Sequence, residues 1–153
     1  MITIKNTQRS ISLDLKKLKD DAQTILHALD YSDFDLGIWL TTNKTIHHYN
    51  KEYRHKDKPT DILSFPFYPE LKAGERIHAS AADEKNLGDL IISLEYVQKA
   101  AKELGVPFYK RMQVLLVHGI CHLLGYDHIK DEDYKVMHKK ELFLLKKLNT
   151  SLK

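Results

Sequence analysis

The chain has 153 residues, of which 42% are hydrophobic and 29% are charged. This length fits one compact domain over residues 1–153, and the absence of an apolar run of roughly eighteen residues predicts no membrane-spanning helix. The first fifteen residues lack a signal-peptide pattern, so we expect a soluble cytoplasmic protein. A formal net charge of +3 permits binding to a polyanion without requiring it.

The first half of the chain is predicted to form two strands and two helices. Alternation of apolar and polar residues is typical of strands, whereas apolar residues three or four positions apart are typical of amphipathic helices. These patterns give a short strand at Ile2 and Ile4, a helix over 13–29, a strand over 34–40, and a helix from a cap at Asn43 to about Tyr53.

The second half begins with residues 61–67, which are apolar and β-prone. Pro66 cannot donate a ladder hydrogen bond, so we expect this strand at an edge of the sheet. Residues 68–86 show no apolar period, which is typical of a functional flap or a mobile insert, and His78 within them is expected to be solvated. The remaining elements are a strand over 87–93, a helix capped by Ser93, a buried helix that opens after Pro107, and a last helix capped by Asp131 with Tyr134, Met137, Leu144, Leu145 and Leu148 inward.

These elements predict an α+β fold. About four strands form a small mixed sheet and about five helices accompany them, while the connection lengths leave the strand order open. We see no internal repeat and no low-complexity segment.

The segment HGICHLLGYDH, residues 118–128, carries three histidines at ligand spacing. His118 and His122 are four apart, so on a helix they lie about 6 Å apart on one face. Gly125 can end the helix in a left-handed conformation and return His128 toward the other two. Three nitrogens with an open fourth position suit Zn²⁺ and are typical of catalytic sites. We therefore predict one zinc ion per chain on His118, His122 and His128, although imidazole also suits other transition metals.

The surroundings of these histidines favour ligands over ordinary core residues. Residues 112–124 are almost entirely apolar apart from His118 and His122, and imidazoles buried in such a helix need partners. A histidine pair alone is weak evidence; the glycine and the third histidine make it specific. Cys121 is the only cysteine and is predicted to be a buried structural thiol.

The same spacing occurs in the metzincin zinc proteases, HExxHxxGxxH. Gly119 stands where those enzymes carry the glutamate that acts as general base. A zinc peptidase is therefore a distant alternative, because the base for attack on a peptide carbonyl is missing.

Three segments together resemble the YbeY family of rRNA maturation endoribonucleases, in which the glycine after the first histidine is usual. They are RHKDKPTDILSFP at 54–66, LGDLIIS at 87–93 and HGICHLLGYDH at 118–128. The resemblance implies a zinc-dependent endoribonuclease that cuts single-stranded RNA, acts at the 3′ end of small-subunit rRNA and in ribosome quality control, and meets the ribosome or small-subunit proteins. A ribosome assembly factor with a structural metal is the alternative.

The resemblance also gives functional weight to Arg54. Its guanidinium can hold a phosphate in a bidentate manner and stabilise the charge of a pentacoordinate phosphorus, so we predict that Arg54 is catalytic. An ordinary ion pair with Asp57 or Asp61 is the alternative. Asp127 could orient an imidazole, take a proton or simply form a turn, and the sequence does not choose between water and the ribose 2′-hydroxyl as nucleophile.

Two features could add RNA affinity. Phe65, Phe67 and Tyr68 could stack on bases, although the two phenylalanines are equally typical of a core. Basic residues form two groups, each of which could also be an ordinary solvated face: Arg54, His55, Lys56 and Lys58, and then Lys99, Lys102, Lys110 and Arg111.

Overall fold

The structure, a computed structural model, describes residues 1–151, so the last two residues of the predicted domain 1–153 lie outside the described residues. Residues 1–151 form four strands and five α-helices, which confirms the predicted α+β class. The elements are β1 (Ile2–Asn6), α1 (Leu15–Ala28), β2 (Asp35–Thr41), α2 (Asn43–Arg54), β3 (Ile62–Pro66), β4 (Asn86–Ser93), α3 (Leu94–Leu104), α4 (Phe108–Leu123) and α5 (Asp131–Ser151).

The four strands form one mixed sheet in the order β1-β2-β4-β3. β1 pairs parallel with β2, and β2 pairs parallel with β4, while β3 runs antiparallel to β4. β3 therefore lies at an edge, as its proline predicted, and Pro66 sits at the last paired position opposite Gly88. This edge strand borders the histidine site described below.

The two faces of the sheet carry different apolar clusters. Alternating strand residues such as Ile38 and Ile92 join the larger cluster, which includes residues of α1, α3, α4 and α5. Helix α4 lies within this cluster, and its Leu116 and Ile120 are completely buried. The opposite face carries a smaller cluster formed by Ile46 of α2, Leu63 and Ile91.

The predicted cap of α2 was wrong by one residue. The N-cap is Thr42, and Asn43 is the first helical residue. The Asn43 side chain is engaged elsewhere, since its Oδ1 accepts a hydrogen bond from Ser93 Oγ at 2.8 Å. Its backbone N–H donates to Glu95 Oε1 at 2.7 Å, which satisfies one of the unpaired donors of a helix start. Ser93 does cap α3, as predicted, and accepts from the backbone N–H of Tyr96.

Two details of α5 also differ from the prediction. The helix includes Asp131 rather than starting after it, because the backbone N–H of Tyr134 donates to the carbonyl of Lys130 at 2.9 Å. Tyr134 was predicted to face inward, but it is 53% exposed and stacks on His138. The first turn of α5 lies at the surface, and the buried side begins at Met137.

The segment 67–85, between β3 and β4, is fixed to the body of the protein by specific contacts. It contains one short 3₁₀ turn, Ala82–Glu84. Ile77 is buried in the larger cluster, and its backbone N–H donates to the hydroxyl of Tyr31. The guanidinium of Arg76 donates to the carbonyl of Leu29 at 2.9 Å. His78 is exposed, as predicted.

No helix within residues 1–151 is long and apolar enough to cross a membrane.

Candidate metal centre

The last turns of α4 carry two histidines at the edge of the apolar core. His118 and His122 are half-buried, and their rings meet edge to face with centroids 4.4 Å apart. Their Nε2 atoms point at each other across 3.0 Å. The four-residue spacing on a helix therefore places both nitrogens at one point, as the sequence predicted.

His128 reaches the same point because the chain reverses at Gly125. Gly125 has φ +91°, a left-handed conformation that favours glycine. A Cβ on this residue would lie 2.2 Å from the carbonyl oxygen of Leu71, so segment 67–85 packs directly on the turn. The ligand atoms of His118, His122 and His128 all lie within 4.8 Å of one another, and the three residues could hold a metal ion.

The outer nitrogen of each helical histidine is already engaged. His122 Nδ1 lies 2.8 Å from the carbonyl oxygen of Tyr126, which can only accept, so this nitrogen donates. His118 Nδ1 lies 3.0 Å from Glu141 Oε2 and donates to that carboxylate. A neutral imidazole has one N–H, so both inward Nε2 atoms carry a lone pair.

Two lone pairs that face each other at 3.0 Å repel unless a cation lies between them. Burial, together with the neighbouring His118, lowers the pKa of His122 to about 4, so the His122 imidazole is neutral at pH 7 and its inward nitrogen can bind a cation. Nitrogens around a tetrahedral zinc lie about 3.4 Å apart for a Zn–N bond of about 2.1 Å. The donor set of His118, His122 and His128 therefore fits a zinc-like ion.

Gly119, between the two helical histidines, lies against the sheet. A Cβ there would lie 2.7 Å from Ile62 Cδ1 and 2.9 Å from Leu90 Cδ2. Ser64 Oγ of β3 also donates to the Gly119 carbonyl at 3.1 Å. A larger side chain at position 119 would have to push the Ile62 and Leu90 side chains aside, and with glycine there the site lacks the glutamate that a metzincin carries, which argues against a peptidase.

The three histidines line a cleft of about 480 Å³ that lies between β3, α4 and the turn after α4. Arg54, the last residue of α2, lines the same cleft. Its guanidinium has no hydrogen-bond or ion-pair partner within residues 1–151. The two carboxylates considered as its partners are engaged elsewhere, Asp57 with His47 at 2.7 Å and Asp61 with Arg111 at 3.6 Å. The structure thus leaves the Arg54 cation available to a ligand.

Two residues beside the histidines have roles in the local structure. Asp127 Oδ1 accepts from the backbone N–H of Ile129 at 3.3 Å, which is the pattern of an Asx turn, and the residue also lines the cleft. Cys121 is fully buried, and burial raises the pKa of its thiol to about 12. Cys121 is therefore the structural thiol that the sequence predicted.

The aromatic residues considered for base stacking are not brought to this cleft. Phe65 packs on the opposite face of the sheet, where it meets Tyr53 edge to face at 5.3 Å. Phe67 and Tyr68 lie in the segment after β3, and the Tyr68 hydroxyl donates to the carbonyl of Glu84. None of the three lines the cleft. Phe65, with Trp39 and Tyr49, instead lines a larger cavity of about 680 Å³ on the far side of the sheet.

Glu141 was missed by the reasoning from sequence. It belongs to α5 and reaches the centre only because α5 packs against α4. One signal could have found it, since Glu141 stands in the apolar row of α5 between the buried Met137 and Leu144, at helical spacing from both. A charged residue in such a row needs a polar partner inside the protein.

The fold and this cleft describe a small α+β protein with an open three-histidine centre. The family model described as endoribonuclease YbeY matches residues 3–149. A human protein named endoribonuclease YbeY is 37% identical over 147 residues, which cover 96% of this chain and 87% of that protein. A protein of the same name from Sulfurihydrogenibium sp. is 40% identical over 152 residues, covering 99% of this chain and 94% of its own.

This chain therefore belongs to the YbeY endoribonuclease family, which confirms the resemblance seen in the sequence. A solution structure of a protein from Thermotoga maritima has the same fold, with a TM-score of 0.65 and 22% identity. That match covers 99% of this chain and 91% of the Thermotoga chain.

Proposed function

We propose that this chain is a zinc-dependent endoribonuclease that cuts single-stranded RNA, with zinc on His118, His122 and His128 and with Arg54 as a catalytic residue. The observation that carries the proposal is the convergence of these imidazoles in a cleft that also holds an unpaired guanidinium. Membership of the YbeY family supports endoribonuclease activity and an RNA substrate.

In this mechanism the chain holds the scissile phosphate between the histidines and Arg54. A zinc ion, when bound, would supply Lewis acidity that polarises a phosphoryl oxygen or acidifies water. Arg54 would donate two parallel hydrogen bonds to the phosphate and would stabilise the additional negative charge of the pentacoordinate transition state. Its cation is available for this role because neither Asp57 nor Asp61 pairs with it.

The proposal also covers which RNA is cut and with which partners. The segments at 54–66, 87–93 and 118–128 resemble those of enzymes that mature the 3′ end of small-subunit rRNA and act in ribosome quality control. We extend this role to the present chain, with the ribosome or small-subunit proteins as partners. We also propose the cytoplasm as the working compartment, as expected from the lack of a signal-peptide pattern in the first fifteen residues.

The proposal is tested by metal analysis combined with cleavage of a defined single-stranded RNA. The parent protein is compared with His122→Ala, Arg54→Ala and the control Arg9→Ala, which removes an exposed arginine that does not line the cleft. We expect His122→Ala to lose both metal and cleavage. Arg54→Ala should keep the metal and lose cleavage by about 10²–10³-fold, as for other groups that stabilise transition-state charge. Arg9→Ala should match the parent.

Contaminating nucleases are a hazard for any weak ribonuclease. His118→Ala prepared in the same way provides the control, and equal cleavage by this variant and the parent would defeat the catalytic assignment. Cleavage by Arg54→Ala at the parental rate would remove Arg54 from the mechanism and leave the metal assignment standing.

A further inference from the structure

Glu141 makes a contact with the candidate centre that the proposed function does not use. Its Oε2 accepts from His118 Nδ1 at 3.0 Å, on the opposite side of the ring from the nitrogen that faces the other histidines. Both side chains are largely shielded from solvent, with 28% of His118 and 17% of Glu141 exposed. The contact joins α5 to the end of α4.

The packing of α5 fixes where this carboxylate lies. Met137, one turn before Glu141, is 1% exposed, and Leu144, one turn after it, is completely buried. These apolar side chains hold α5 in the larger cluster, and Glu141 lies on the same face of the helix, the face that meets α4. The contact is therefore built into the fold rather than formed by a flexible surface side chain.

The two helical histidines are oriented by different groups. His122 is held by a neutral backbone carbonyl, that of Tyr126, within its own turn. His118 is held by a side-chain carboxylate from another helix. A carboxylate behind a metal-binding imidazole fixes the tautomer and makes the ligating nitrogen more basic, and removal of such a partner commonly costs 10- to 100-fold in metal affinity.

We infer that Glu141 is a positioning residue that orients His118 and strengthens metal binding at His118, His122 and His128. This inference rests on the proposed metal site. Glu141 is not a fourth ligand, because its carboxylate occupies the far nitrogen of His118, and within residues 1–151 only the three histidines form the group that could hold an ion. With Glu141 on the far nitrogen of His118, three protein ligands would leave one position of a bound zinc ion available to water or substrate.

The competing explanation is that Glu141 only ties α5 to α4. A tether of this kind contributes to stability in the absence of metal and leaves the metal affinity of the folded protein unchanged. A positioning role changes the affinity itself, so the measurement that separates the two is zinc binding rather than activity or melting temperature.

Zinc affinity is measured by competition with a chelator of known affinity, and the Co²⁺ absorption spectrum reports the ligand geometry. Glu141→Gln keeps the size and an oxygen acceptor but removes the charge, whereas Glu141→Ala removes both. Glu132→Gln, at an exposed position in the first turn of the same helix, is the matched control. Circular dichroism in the presence of chelator establishes that each variant is folded before titration.

We expect Glu141→Gln to bind zinc about 10-fold and Glu141→Ala about 100-fold more weakly than the parent, with an altered Co²⁺ spectrum for Glu141→Ala. Glu132→Gln should bind like the parent. Parental affinity in both Glu141 variants would overturn the inference and leave Glu141 as a tether, while the proposed function would stand. A parent protein that binds no zinc would overturn the proposed function and this inference together.

Discussion

Gly119 lies so close to Ile62 that a methyl group added to the glycine would approach the Ile62 Cδ1 atom to 2.7 Å. Gly119 thus lets α4 pack closely on the side chains of the sheet, and the Ser64 hydroxyl of β3 donates a hydrogen bond to the Gly119 carbonyl at 3.1 Å. A side chain at position 119 would point at Ile62 and Leu90, beneath the helix. Sequence reasoning identified the missing glutamate here, and the structure supplies the physical reason for its absence.

The stability lost on substitution of Gly119 should increase with the size of the new side chain. Gly119→Ala meets the ends of the Ile62 and Leu90 side chains, which can shift. Overpacking of this kind costs about 1–3 kcal/mol, and the better helix propensity of alanine offsets about 1 kcal/mol, so we expect a net loss of at most about 2 kcal/mol. Gly119→Glu would force a carboxylate into the same contact and should cost several kcal/mol, enough to unfold a typical domain.

Denaturant unfolding of both variants checks the Gly119 prediction. A folded Gly119→Glu protein of near-parental stability would show that the helix and strand can separate. Casein digestion by that protein would revive the peptidase alternative, which at present has no base at this position.

Arg54→Lys provides a second prediction. Lysine keeps the positive charge but lacks the planar pair of donors, so it cannot hold a phosphate in a bidentate manner. We expect zinc content to be unchanged and cleavage of single-stranded RNA to fall between the parent and Arg54→Ala. Equal activity of lysine and arginine would mean that Arg54 acts only through its charge.

The sequence was sufficient for most of the secondary structure and for the convergence of His118, His122 and His128, because both depend on local spacing. The four-residue separation of His118 and His122 and the left-handed Gly125 act within one helical turn and one reversal. The edge position of β3 followed from Pro66 alone. Rules that act over a few neighbouring residues were therefore enough to predict that the three histidines come together.

Contacts between segments that are far apart in the chain could not be predicted from such local patterns. Glu141 meets His118 across 23 residues, and Leu71 packs on Gly125 across more than fifty, through packing that no short pattern encodes. Contacts with a distant segment also explain why the predicted cap at Asn43 was wrong. The Asn43 side chain accepts a hydrogen bond from Ser93, and the Asn43 backbone N–H donates to Glu95 of α3. The position of Phe65 depended on the face of β3 that meets α4, and the sequence did not determine it.

Removal of metal by a chelator should leave the protein folded. The larger apolar cluster holds α1, α4 and the sheet together without any contribution from the ring nitrogens. We expect the circular dichroism spectrum to persist and the melting temperature to fall with the loss of ligand binding. Global unfolding on chelation would favour the alternative of an assembly factor with a structural metal.

Cys121 should be unreactive in the folded protein. Burial, with a contribution from the charge of Glu141, raises the pKa of its thiol to about 12, so the thiol stays protonated at pH 8. We expect negligible reaction with a thiol reagent such as DTNB under native conditions and full reaction in denaturant. Rapid modification of the native protein would indicate that the end of α4 opens readily.

Gly125 and Gly74 form a matched pair that isolates the effect of segment 67–85 on the centre. Both have a positive φ, +91° and +86° respectively, so alanine at either position carries a left-handed strain of about 1–2 kcal/mol. A Cβ on Gly74 meets nothing within 4 Å, whereas one on Gly125 lies 2.2 Å from the backbone carbonyl of Leu71, which cannot move as a side chain can. Only the second substitution must therefore move one of two backbone segments, the turn that carries His128 or the segment 67–85 that packs on it.

We therefore expect Gly74→Ala to lose only that strain energy and to bind zinc like the parent. Gly125→Ala should lose more stability than Gly74→Ala and should also bind zinc more weakly, because His128 stands three residues beyond the displaced turn. Denaturant unfolding and chelator competition on the two variants measure both effects. Equal zinc affinity in the two would show that the turn tolerates the shift and that segment 67–85 does not hold His128 in place.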